Sequence, residues 1–68
     1  MKIGEKISYY RKKLCLTQEQ LATGICSVSY LSKIENGVVI PSDEIINLLA
    51  EKLQITLNLN TQENFEKV

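Results

Sequence analysis

The sequence predicts an all-α domain of four or five short helices, and three observations carry that expectation. Apolar residues recur at helical spacing in two long segments, Ile3, Ile7, Tyr10 and Leu14, and later Ile45, Leu48, Leu49 and Leu53. Between them, residues 17–37 hold two shorter segments, each opened by a good helix-capping residue, Thr17 and Ser27. The length, 68 residues, allows one domain near the lower limit at which a single core supports folding unaided.

The first helix is read over about residues 3–14, with Lys6, Lys12 and Lys13 on its wet side. The second starts at Gln18: Thr17 caps it and Gln20, three residues on, reaches back in a reciprocal capping box. Leu21 and Ala22 form its apolar face, and Gly24-Ile25-Cys26 interrupts it. Ser27 opens the third helix, about residues 27–36, in which Leu31 and Ile34 point inward and Ser27, Ser29, Tyr30 and Lys33 face the other way. Asn36-Gly37 ends it, glycine being favoured just past a helix. After the apolar loop Val38–Ile40 and Pro41, Ser42 caps a fourth helix, with Asp43 and Glu44 suited to its positive end.

Ile55, Leu57 and Leu59 alternate with polar residues in the manner of a strand, but a lone strand has no partner in a helical chain. These residues are read instead as an extended connection over the core, which closes a domain at residues 1–59. Residues 60–68 start a linker helix or form a C-terminal tail, with Asn60 or Thr61 as cap and Phe65 as an apolar anchor. A helix begun so late fits the first domain of something longer, and equally a frayed natural terminus.

Composition narrows the function. The chain has no His and only two cysteines, Cys15 and Cys26, so it lacks the usual general base and cannot assemble a zinc set. Nothing in it pairs a nucleophile with a base or cradles a phosphate on a glycine loop, so neither an enzyme nor a cofactor is expected. No secretion signal precedes the cysteines, which are read as free thiols in a cytoplasmic protein, and no apolar run approaches the ~20 residues of a membrane span. The formal net charge is zero, yet it is polarised: residues 1–37 carry six basic and three acidic side chains, net +3, and the remainder carries net −3. That suits a domain with one basic face for phosphates, and also two solvated helix faces with no such role.

Two capped helices around a tight turn, residues 17–37, form a helix-turn-helix motif, which points to double-stranded DNA. The second helix of such a motif enters the major groove with its N-terminal residues nearest the base edges. Ser27, Val28, Ser29, Tyr30 and Lys33 are therefore the candidates: Ser29 is small and both donates and accepts, Val28 suits a thymine methyl, and Lys33 suits guanine or a phosphate. The plainer alternative has Ser27 only capping, Tyr30 packing on a neighbouring helix and Lys33 solvated. Gln18 stands where its side chain and backbone N–H can meet a phosphate, or serves simply as an exposed helix former. Asn36 and the Gly37-Val38 loop are placed to approach the backbone from the other side.

Arg11 ahead of Leu16-Thr17-Gln18, then Leu21-Ala22, Ser32-Lys33-Ile34-Glu35-Asn36-Gly37 and Pro41-Ser42 resemble, in order and spacing, the lambda-repressor and Cro-like helix-turn-helix regulators of the XRE family, over about residues 3–55. Between Leu21 and Ser32 the chain is one residue shorter than the family's common form. That apolar turn looks like the peptide-responsive quorum-sensing regulators of Gram-positive bacteria, the Rgg, NprR, PlcR and PrgX group, and most like the NprR type. The resemblance implies a compact lambda-repressor-like fold, a sequence-specific transcriptional regulator, and a homodimer on an inverted-repeat operator. It also implies a signalling peptide sensed only through a C-terminal domain absent from this sequence. It assigns Arg11 and Glu35 to a structural salt bridge between helix one and the recognition helix, and Gln18 to a phosphate. Cys15 stands where the family commonly has glycine, so it must take up a left-handed conformation or end the helix differently. Related domains also serve as antirepressors or protein-interaction modules, which neutral net charge would suit.

Overall fold

The computed structural model describes residues 2–55, which form four helices: α1 Ile3–Lys13, α2 Gln18–Ala22, α3 Val28–Glu35 and α4 Asp43–Leu53. All four fall where the sequence places them, and among the described residues there is no strand. Expectations for residues 56–68, including Leu57, Leu59, Phe65 and a fifth helix, lie outside the described residues.

Helices α2, α3 and α4 start on the capping residues read from the sequence, and α1 on one that was not. Thr17 Oγ1 accepts from the Gln20 N–H at 3.0 Å while Gln20 Oε1 accepts from the Thr17 N–H at 2.8 Å, completing the capping box. Ser27 Oγ accepts from the Tyr30 N–H at 3.0 Å, and Ser42 Oγ from the Ile45 N–H at 3.3 Å. At α1 the acidic Glu5 does this work, its carboxylate accepting from the Lys2 N–H at 3.2 Å.

The helix ends share one device with different residues. After α3, Gly37 at φ 77° lets its own N–H reach the Ile34 carbonyl and the Val38 N–H reach the Lys33 carbonyl. Cys15 does the same after α1, taking φ 61°, with the Leu16 N–H on the Arg11 carbonyl at 3.0 Å. Gln54 repeats it after α4 at φ 60°. Of the two possibilities open to Cys15, the chain thus adopts the left-handed one, at the steric cost of a side chain in that region.

Ile7, Leu21, Ala22, Leu31, Ile34, Ile46, Leu49 and Leu53 form the core, each at most 4% exposed. Two expectations are corrected. In α4 the buried stripe is Ile46, Leu49 and Leu53, whereas Leu48 is exposed and Ile45 only half-buried. The sequence offers apolar residues at both 45–46 and 48–49, and only the direction from which α1 and α2 pack on α4 selects between the two registers. Leu14 is also exposed, because α1 stops at Lys13 and the turn through Cys15 carries Leu14 off its buried face.

The crossing of α1 and α3 depends on Gly4, which is buried. A Cβ there would overlap the Ile34 carbonyl oxygen and stand 3.0 Å from that of Glu35. Both neighbours are backbone, so a side chain would force the helices apart. At the other end of the domain, Lys52 Nζ donates to the Thr23 carbonyl at 2.7 Å, tying α4 to the end of α2.

Gly4→Ala is expected to lower the unfolding free energy by about 2 kcal/mol despite alanine's better helix propensity. A urea midpoint equal to the parent's would contradict that packing. Cys15→Gly should raise stability by about 1 kcal/mol, since Cys15 is exposed and gives up only strain. The thermal midpoint of the variant measures it.

Candidate nucleic-acid interface

α2 and α3 are joined by Thr23–Ser27, a turn in which Gly24 takes φ 82° and the Ile25 and Cys26 N–H groups both bond the Ala22 carbonyl. Ile25 and Cys26 pack against the core, so the apolar character of this short turn fixes the angle between the two helices. Burial also pushes the Cys26 thiol up from its ordinary value, which suits an inert packing residue. Both cysteines are free.

With Leu31 and Ile34 fully buried, the other side of α3 is open. Ser27, Val28, Ser29 and Lys33 are exposed together there, Val28 at 42%. Tyr30 departs from the expected outward face: it is half-buried and packs against the core, so only part of its ring is available. Asn36 caps the end of α3 and is exposed beside Gly37 and Val38.

Arg11 and Glu35 meet as a two-pronged ion pair, Nε on Oε2 at 2.7 Å and Nη2 on Oε1 at 3.1 Å. Their side chains are 11% and 6% exposed. The remaining guanidinium donor, Nη1, bonds the Leu16 carbonyl at 2.9 Å and so anchors the connection from α1 to α2. Gln18, expected at a phosphate, is half-buried and its Nε2 donates to Glu35 Oε1 at 3.2 Å. This third contact had no signal in the sequence, since its partners lie seventeen residues apart.

The exposed charges follow the same division as the sequence. Lys2, Lys12, Lys13 and Lys33 are exposed in the first half against Glu5 and Glu19, Lys13 lying over the Tyr9 and Tyr10 rings at 5.8 and 6.0 Å, whereas α4 exposes Asp43, Glu44 and Glu51 against Lys52. The described residues hold no group of three potential metal ligands and no helix long and apolar enough to cross a membrane.

Removing one member of a desolvated ion pair strands the other. Glu35→Ala should therefore cost about 3–5 kcal/mol, a large part of the stability of so small a domain. Replacing both partners with apolar residues, Arg11→Met with Glu35→Met, should largely restore it. Circular dichroism melts distinguish the two, and equal losses would contradict the pairing.

This arrangement is also found in known proteins. A helix-turn-helix family model matches residues 7–60. Over 44 residues the chain is 50% identical to the transcriptional activator NprA of Geobacillus stearothermophilus, covering 65% of this chain and 11% of that protein. A crystal structure of Bacillus thuringiensis PlcR in complex with the peptide PapR7 and DNA is similar to it with a TM-score of 0.79 and 45% identity, over 82% of this chain and 20% of that one. The chain thus spans a fifth or less of these relatives. By its motif, its four-helix fold and the match over most of its length, the chain belongs to the helix-turn-helix family, of the lambda-repressor-like XRE type.

Proposed function

We propose that this chain is the DNA-binding domain of a longer, cytoplasmic, peptide-responsive transcriptional regulator, and that it acts by contact without catalysis. The observation that carries this reading is the open surface of α3: Ser27, Val28 and Ser29 at its N-terminal end and Lys33 a turn further on are exposed, while Leu31 and Ile34 lock the helix into the core. The similarity to PlcR, solved with DNA and a peptide, supports it. Phosphate contacts by Gln18, Asn36 and the Gly37-Val38 backbone set the register on the duplex. Ser29, Lys33 and Val28 then read base edges, with the uncovered part of Tyr30 against the backbone or a neighbouring base.

Two copies bind as a homodimer on an inverted repeat, with the recognition helices about 34 Å apart in successive major grooves. The signalling peptide acts through a further domain. A second reading, a protein-interaction module, draws on Val38 and Ile40, 68% and 82% exposed beside α4, and on the zero net charge.

Salt dependence separates the two readings, because only DNA binding releases counterions in proportion to the phosphates neutralised. Addition of a mixed-sequence duplex at low salt should shift the amide resonances of Gln18, Ser27 through Lys33 and Asn36, and the shifts should fade as salt rises. Lys33→Ala should cost about 1–3 kcal/mol of binding to the preferred sequence and relax specificity at the base pair that Lys33 reads, as affinities for a set of single-base variants would show. Silence of these amides at low salt would favour the protein-interaction reading.

A further inference from the structure

The Arg11–Glu35 pair has a third member that its structural role does not require. Arg11 matches the Glu35 charge and takes one acceptor site on each carboxylate oxygen, and Oε1 also accepts from Gln18 Nε2 at 3.2 Å. A carboxylate can only accept, so this contact decides which end of the Gln18 amide faces inward: the NH₂ group, never the carbonyl. One amide N–H is committed to Glu35 and the other is left with a fixed direction. Gln18 is only half-buried, so its side chain is not sealed off from an outside group.

We propose that Glu35 is a positioning residue for DNA binding: it holds the Gln18 side chain with its second N–H presented to a backbone phosphate. This rests on the reading that Gln18 meets a phosphate. A glutamine free in solvent loses rotamer freedom when it is ordered, a cost similar in size to the net gain from one hydrogen bond. Anchoring the amide at Glu35 meets that cost on folding, before DNA arrives. It also links a phosphate contact at the start of α2 to the last residue of the recognition helix, so that the two elements address the duplex as one rigid unit.

The test uses the full chain, labelled with nitrogen-15 and titrated with a mixed-sequence duplex at low salt, following the Gln18 side-chain NH₂ pair alongside the α3 backbone amides. The proposal expects the two NH₂ proton resonances of Gln18 to lie further apart in the free protein than those of a solvated glutamine, and the one not held by Glu35 to move more when duplex is added. Shifts along α3 with the Gln18 NH₂ pair unmoved would overturn the positioning role and leave the DNA-binding reading intact. Silence of both would remove that reading, and this proposal with it.

A binding cycle adds a second arm. Gln18→Ala should weaken binding about fivefold in the parent, the effect of one hydrogen bond of ordinary net strength. In the Arg11→Met/Glu35→Met background, which removes the anchor without changing net charge, the same substitution should cost little. An equal loss in both backgrounds would show that Glu35 serves the fold alone. Circular dichroism checks that each variant is folded, and the resonance experiment decides the matter on the parent chain if one is not.

Discussion

A carboxylate at the last residue of a helix sits at the negative end of the helix dipole, an unfavourable place for it, and Glu35 is almost wholly removed from water there. It is tolerable only because Arg11 delivers a planar two-pronged partner from α1. The same guanidinium bonds the Leu16 carbonyl, and the Leu16 N–H returns to the Arg11 carbonyl, so the link between α1 and α2 is held from both sides. One ion pair therefore fixes the end of α3, the start of α2 and the last turn of α1. Its net contribution to stability is small next to the cost of losing either half, which makes it a constraint on geometry more than a source of energy.

The rest of the domain compensates for helices too short to persist alone. The five residues of α2 cannot sustain a helix in water. They are held by the Thr17–Gln20 box at one end, the Lys52 bond to the Thr23 carbonyl at the other, and Leu21 and Ala22 in the core between. Left-handed residues at Cys15, Gly37 and Gln54 stop three helices abruptly, and two of the three pay a steric cost to do so. Between α2 and α3 the left-handed residue is Gly24, which keeps that connection short and gives the two helices a single relative orientation.

That rigidity lets α3 divide its residues so cleanly. Leu31 and Ile34 take the core face, Tyr30 straddles the boundary, and Ser27, Val28, Ser29 and Lys33 are left without structural duties beyond the Ser27 cap. The short apolar turn belongs to the same design, since Ile25 and Cys26 spend their side chains on the core and set the tilt at which α3 is presented.

The positions of all four helices were legible in the sequence because caps, glycine stops and helical periodicity are local signals, each complete within about a turn. Part of the exposed surface of α3 was legible too, since Ser27, Ser29 and Lys33 are too polar to bury, whereas Tyr30 turned partly to the core. Long-range decisions were not legible. Whether α4 buries Ile46 or Leu48 depends on the side from which its neighbours arrive, and Gly4 looks like any helical glycine until the Ile34 carbonyl is found against it. Arg11 and Glu35 were paired from a family likeness, but that Gln18 joins them is a meeting of residues far apart in the chain, with no periodicity to announce it. Local chemistry determined which segments are helical and which polar residues of α3 stay exposed; tertiary packing decided which faces meet, and so brought Gln18 onto Glu35.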